Sequence, residues 1–354
     1  MSRLLPAIFI AALFSHSVLA QAGNSFTVDD SKLDFYLLQA FQARSAEQRI
    51  ALNHIGIQVQ AADEGYLVTA SLEGYPAQLA GIERGDKILT VNDEPFHPVY
   101  SFNQATIAAD GDHTGFTASH SSYEVEVSRN GTTRSLQLTP VYENLFDSYR
   151  TATTNSVQIF PAGNKTIGYV RFWGISRASA DIASMEKIMQ QLANCDGLIF
   201  DLRNSFGYLS ASHLDLFVPS RRSYFLATGT PNTHGDLQAV GISSEGDYFQ
   251  KPIAVMLNSE TQGGPELFAY QLAKMRRVVT LGETTAGRIG DYVLETNGED
   301  SRLRYIPAED VLIDGNGFES IGVEPEQLIA YPFEQSIRSD PQYETTLSFL
   351  LGII

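Results

Sequence analysis

Asn258-Ser259-Glu260-Thr261-Gln262-Gly263-Gly264-Pro265-Glu266-Leu267-Phe268 follows an apolar run at residues 252–257 and reads as the joint between a buried strand and a helix. The run breaks at a Gly-Gly turn. Pro265 suits the first helical position, where a missing N–H costs nothing. Many hydrolases present a serine at such a strand–turn–helix joint, beside unpaired helix-terminal amides. The amides are expected here, but position 263 carries no side chain.

Outward from this joint, strands and helices alternate. Residues 168–173, 197–203, 253–258 and 278–282 read as strands, and 178–194, 209–217 and 265–277 as helices. That alternation predicts parallel β–α–β construction. Residues 55–138 are patterned differently, as a small β-rich unit. Ile55-Gly56-Ile57-Gln58-Val59 and Gly65-Tyr66-Leu67-Val68-Thr69-Ala70 read as short strands, residues 75–81 as a one-turn helix closed by glycine, and residues 85–92 as a turn into a strand. Residues 123–138 read as a hairpin pivoting on Asn130-Gly131, a pair suited to the left-handed positions of a tight turn. A lead-in helix is expected near residues 31–43. There is no internal repeat and no low-complexity run.

The first 20 residues carry Arg3, an apolar stretch at 4–14 and Val18-Leu19-Ala20, the pattern of a secretory signal peptide. The stretch is shorter than the ~20 residues a membrane span needs. The expectation is an exported chain, periplasmic or secreted, with no membrane insertion. The 354 residues carry 24 Lys and Arg against 41 Asp and Glu, a net charge of −17. Removing the signal takes away one Arg and leaves about −18. Such a surface disfavours nucleic acid and anionic lipid as partners. Cys195 is the lone cysteine, so no intrachain disulfide forms, and its setting predicts a small buried hydrophobe. No His/Cys/Asp cluster has metal-ligand spacing and no phosphate loop is present, so no cofactor is expected.

The run Gly74-Tyr75-Pro76-Ala77-Gln78-Leu79-Ala80-Gly81-Ile82-Glu83-Arg84-Gly85-Asp86-Lys87-Ile88-Leu89-Thr90-Val91-Asn92 closely resembles the signature of a PDZ domain. In such domains a peptide adds as a strand at a sheet edge and loop amides hold its carboxylate. The resemblance points to His54, Ile55, Gly56 and Ile57 as the peptide-binding segment, with Gly56 permitting close backbone approach. It also implies a helix across the groove at residues 102–109. Residues 110–122 depart from a compact PDZ pattern.

The α/β part resembles the S41 family of carboxy-terminal processing, or tail-specific, serine peptidases. Four landmarks carry this: Gly168-Tyr169-Val170-Arg171-Phe172, Asp201-Leu202-Arg203-Asn204-Ser205-Phe206-Gly207, the ungapped stretch 266–287 with Gly282-Glu283-Thr284-Thr285-Ala286-Gly287, and Gly322-Val323-Glu324-Pro325-Glu326. The resemblance implies a ClpP/crotonase-like α/β core of β-α-β units behind a small β-rich PDZ domain. The implied organisation is a signal peptide at 1–20, a helical lead-in at 21–54, the PDZ domain at 55–140, the S41-like domain at 155–335 and a C-terminal segment at 336–354.

Reading back from Glu266 places the family's serine at Gly263, its general-base lysine at Arg288 and the glutamine orienting that lysine at Tyr292. Glycine offers no oxygen to acylate. A guanidinium with a pKa above ~12 does not release its proton near neutrality. The oxyanion-hole positions map onto Gly207 and Gly264, with Phe206 and Tyr208 in place of the family's proline and second glycine. Ser259 and Thr261 are hydroxyls in the same turn, expected to make turn hydrogen bonds. His213 is expected to be packed or solvent-facing. The expected function is therefore an exported homologue that binds peptide or protein C-terminal tails without cleaving them. Two other readings stay open: an active serine-type peptidase with a non-standard nucleophile or a partner's residue, and a structural or assembly subunit.

Overall fold

Three five-residue runs, Gly197–Asp201, Ile253–Leu257 and Val278–Gly282, are buried along their whole length, as strands covered on both faces must be. They form the middle of a six-stranded sheet ordered Gln158–Ala162, Lys165–Arg171, Gly197–Asp201, Ile253–Leu257, Val278–Gly282 and Gln327–Leu328. The first pair is an antiparallel hairpin and every later pair is parallel. The computed structural model describes residues 25–103, 105–107, 113–218, 227–228, 248–297, 300–333 and 339–354. The expected signal peptide lies outside the described residues.

Side-chain alternation divides the strands between two layers. Leu198, Phe200, Val255 and Leu257 pack with Met185, Ile188 and Leu192 of the Ser179–Leu192 helix and with Leu267, Phe268 and Leu272 of the Gly264–Ala273 helix. Ile199, Ala254, Met256 and Leu281 face the other way and pack with Leu350 of the Pro341–Ile353 helix. The predicted β–α–β alternation is therefore the observed one. Cys195 is buried in the first of these clusters.

The β-rich unit is a sheet ordered Thr132–Leu138, Tyr123–Arg129, Lys87–Val91, Tyr66–Ser71 and Ile57–Ala61. Its hairpin turns where expected, with Asn130 at φ 49° and Gly131 at φ 77°, the left-handed pair that matches strand twist. Ile57–Ala61 is the last strand of this order. The helix expected across the groove is not formed by the described part of 102–109. Ala105–Ile107 is a strand paired antiparallel with His113–Phe116; residues 104 and 108–109 lie outside the described set. The Leu33–Gln42 helix takes that place, since its Leu33, Asp34 and Leu37 border the same groove as Gly56, Ile57, Gln58 and Val59. Just before it, Thr27–Asp29 adds to the hairpin of Asp291–Asn297 and Asp300–Ile306. No helix among the described residues is long and apolar enough to cross a membrane.

Leu350 is fully buried against the sheet while its neighbour Leu351 is 37% exposed. Leu350→Ala is expected to destabilise the fold by about 2–5 kcal/mol, through lost burial and the cavity left behind. Leu351→Ala should stay within about 1 kcal/mol of wild type. Urea denaturation of the two variants checks the helix's place in the core.

Candidate functional site: a strand–helix turn with a buried carboxylate

Gly263 adopts φ 72°, ψ −129° and caps the Gly264–Ala273 helix, a conformation that glycine alone takes without strain. Gly264 is the first helical residue and Pro265 the second, one place later than the sequence suggested. Proline is still tolerated there, because first-turn amides have no intrahelical partner.

Three residues after the cap, Glu266 is completely buried. Its Oε1 accepts the N–H groups of Gly263 (2.9 Å) and Arg288 (2.9 Å). Its Oε2 accepts the Gly287 N–H (2.6 Å) and the Thr285 hydroxyl (2.6 Å). Thr285 Oγ1 in turn accepts the Val323 N–H at 2.8 Å. One carboxylate thus joins the strand–helix turn, the 285–288 loop and the near-terminal Gly322-Val323 segment. Burial pushes the Glu266 carboxyl up to about 7, against the pull of its four donors. Sequence reasoning used Glu266 only as a reference point. Its spacing from the cap, that of a capping box, was the available signal.

The Gly263-Gly264 pair rests backbone-to-backbone on the Phe206–Leu209 turn. A Cβ at Gly264 would lie 2.5 Å from the Leu209 nitrogen, and one at Gly263 would lie 2.7 Å from the Gly207 carbonyl oxygen. Gly207 was expected to offer a donor to this spot. In the observed arrangement its carbonyl oxygen lies 2.7 Å, and its nitrogen 3.8 Å, from where a Cβ at position 263 would stand. The cause is local pairing: Phe206–Gly207 runs parallel to Gly174–Ile175, and the Tyr208 N–H donates to the Ile175 carbonyl at 2.7 Å. The Asp-Leu-Arg-Asn landmark holds this turn from below. Arg203 binds Asp201 at 2.9 and 2.6 Å and Asp340 at 2.6 Å, and Asn258 bonds Asn204 through both its amide oxygen and its amide nitrogen.

Beside the turn opens a cleft of about 230 Å³ lined by Arg288, Glu260, Gln262 and Asn204 of the α/β domain, Gln58, Val59 and Gln60 of the edge strand, and Asp34 and Leu37 of the lead-in helix. The Arg288 side chain is exposed in it. Its guanidinium sits 5.2 Å from the centre of the Phe26 ring, and no carboxylate among the described residues pairs with it. Tyr292 is a packing residue, buried among Phe26, Phe206 and Tyr305 with ring centres 6.3, 6.3 and 5.1 Å away.

Thr261 and His213 are occupied elsewhere, while Ser259 is open to solvent. Thr261 is buried, donates to the Leu202 carbonyl at 2.8 Å and accepts from the Asn258 N–H at 3.1 Å, which is the expected turn role. Ser259 is exposed. His213 is buried and its Nδ1 accepts the Ser210 N–H at 3.0 Å, capping its own short helix. Among the described residues, no group of three or more His, Cys, Asp or Glu side chains could hold a metal ion.

His54, Ile55, Gly56 and Ile57 are all buried. The Gly56 N–H donates to His54 Nδ1 at 3.1 Å, which leaves the proton on Nε2, 3.0 Å from Ser148 Oγ. Ser148 Oγ lies 2.7 Å from Glu143 Oε2, which also accepts the Tyr75 hydroxyl at 2.6 Å. Gly56, at φ 77°, is glycine because the Tyr75 side chain occupies the space of a Cβ. Its freedom serves Tyr75, and its amide is already engaged within the loop. Burial pushes the His54 and His213 imidazoles each down to about 4.

Residues 166–329 match the profile of Peptidase family S41. The chain is 25% identical over 315 residues to a carboxyl-terminal-processing protease of Synechocystis, covering 85% of this chain and 69% of that protein. It is 24% identical over 297 residues to the carboxy-terminal processing protease CtpA of Bacillus subtilis, covering 80% of this chain and 58% of that protein. A solved structure from Bacteroides fragilis, described as an S41 protease, superposes with a TM-score of 0.52 at 16% identity, covering 86% of this chain and 84% of the other. That likeness is one of fold.

Gly263→Ala should destabilise the protein by about 1–3 kcal/mol from backbone strain, with the Gly207 carbonyl contact added; chemical denaturation reads it. For His54 the folded pKa lies below the unfolded value, so stability is full above about 6.5 and lost as pH falls toward 4, by up to about 3 kcal/mol. Glu266 acts oppositely, its contribution shrinking as pH rises from about 4.5 to 7. A His54→Gln variant should therefore lose less stability than wild type between pH 6.5 and 4.

Proposed function

From the kinship with peptidase family S41 that the profile match and the relatives support, we propose that this chain is an exported, PDZ-containing homologue that binds peptide or protein C-terminal tails without cleaving them. The observation that carries this reading is position 263. It has the backbone geometry of a nucleophile turn, no side chain, and a carbonyl oxygen beside the place where one would begin.

Cleavage needs an oxygen or sulfur nucleophile and a neutral base within hydrogen-bond reach. Thr261 and Ser148 are buried and committed to neighbours, and His213 caps a helix away from the cleft. Arg288 keeps its proton, so it serves as a fixed cation. A guanidinium in a cleft suits the carboxylate at the end of a chain. Ile57–Ala61 is a sheet edge onto which an extended peptide could add its own backbone hydrogen bonds.

The test pairs binding with chemistry. Fluorescence anisotropy should detect tail peptides bound by the purified protein. Incubation with unstructured peptides and with a serine-directed fluorophosphonate should give neither turnover nor a mass increase. Gly263→Ser should remain inactive, since the Gly207 carbonyl crowds its Cβ and Arg288 cannot take its proton. An acyl or phosphonyl adduct on the wild-type chain would overturn the reading and restore the active-peptidase alternative.

A further inference from the structure

The cleft beside Gly263 holds three charged side chains, Asp34, Glu260 and Arg288. No hydrogen bond or ion pair to a described residue satisfies either carboxylate, and the Arg288 guanidinium has only the face of Phe26. Asp34 is exposed and lines both the cleft and the groove adjoining it. Desolvation and the nearby charge of Glu260 raise its carboxyl above the usual range, with Lys32 and then Arg288 pulling the other way. The first turn of its own helix eases this partly, and a cation near both carboxylates would ease it further.

The edge strand borders the same space. Gln58, Val59 and Gln60 line the cleft, and Gly56 to Val59 line the groove that continues from it. Side chains alternate along a strand, so consecutive residues border one cavity only where the backbone edge faces it. Ile57–Ala61 ends its sheet, and that edge has no strand partner in the sheet order. The cleft therefore combines a row of backbone groups, one unpaired cation, two unpaired anions and apolar wall from Val28 and Leu37.

We propose that this cleft selects chain ends that terminate in lysine or arginine. The last residues add along Ile57–Ala61, the terminal carboxylate meets Arg288, and the basic side chain reaches Asp34 and Glu260, its aliphatic stem lying on Val28 and Leu37. This rests on the tail-binding reading and adds to it a ligand class set by charge. A tail ending in an apolar residue leaves both carboxylates uncompensated, and a tail ending in an acid adds a third negative charge.

Two peptides identical except for a final lysine or norleucine, each as free acid and as amide, make the test, read by fluorescence anisotropy. Wild type should bind the lysine acid about tenfold more tightly than the norleucine acid, the scale of a partly desolvated charge pair. Asp34→Asn combined with Glu260→Gln should bring that ratio to about one, and Arg288→Gln should abolish the preference for acid over amide. Thermal midpoints establish that the variants are folded, and the lysine–norleucine comparison needs no variant at all. Equal binding of the two acids by wild type overturns this inference while leaving tail binding intact. Failure of every tail to bind removes both.

Discussion

Glu266 is the constraint on which the rest of the site depends. A carboxylate with no solvent contact survives in a protein interior only when its oxygens are filled by donors. Here four donors come from two separate segments, the helix cap and the 285–288 loop, and the Thr285 hydroxyl of that loop also receives the Val323 N–H from a third. Removing any one of them leaves a buried charge partly bare. The strand–helix turn, the loop carrying Arg288 and the near-terminal segment are therefore held together as a unit. That explains how the turn can keep a nucleophile's backbone geometry while presenting no nucleophile: the frame is maintained by Glu266, not by the reacting groups.

Once that frame is fixed, small choices redirect its chemistry. The contact between Gly263 and the Gly207 carbonyl is tight because neither residue carries a Cβ. Arg288 brings a permanent, planar cation to the cleft rather than a titratable amine. Tyr292 contributes an aromatic ring packed among three others. All of these positions lie within residues 166–329, the stretch that matches the S41 profile.

The β-rich unit meets this scaffold through the same cleft. Gln58 of the edge strand donates to the Tyr149 hydroxyl at 2.6 Å and to the Asn204 carbonyl at 3.1 Å, so the strand is pinned beside the turn that carries Gly207. The lead-in helix closes the groove from the far end of the sequence, with Asp34 among its lining residues. The buried relay from Gly56 through His54 and Ser148 to Glu143 and Tyr75 stiffens the loop behind it. The edge strand and the strand–helix turn thus border one continuous space.

The sequence determined what depends on local pattern. Apolar five-residue runs separated by amphipathic stretches specify buried parallel strands and covering helices, and Asn130-Gly131 specifies its turn, because burial and backbone preference act over a few neighbouring residues. The vacancies at 263 and 288 were equally legible, since they are statements about residue type. Only tertiary structure decided the rest. Glu266 gathers donors as far away as Arg288, Gly207 presents a carbonyl because of how residues 206–207 pair with 174–175, and Gly56 makes room for Tyr75 rather than for a ligand. Asp34, in a lead-in helix with no chemical signature, comes to share a cleft with Glu260 and Arg288 more than 220 residues later. Contacts between segments so distant follow from packing the whole chain, and no local periodicity encodes them.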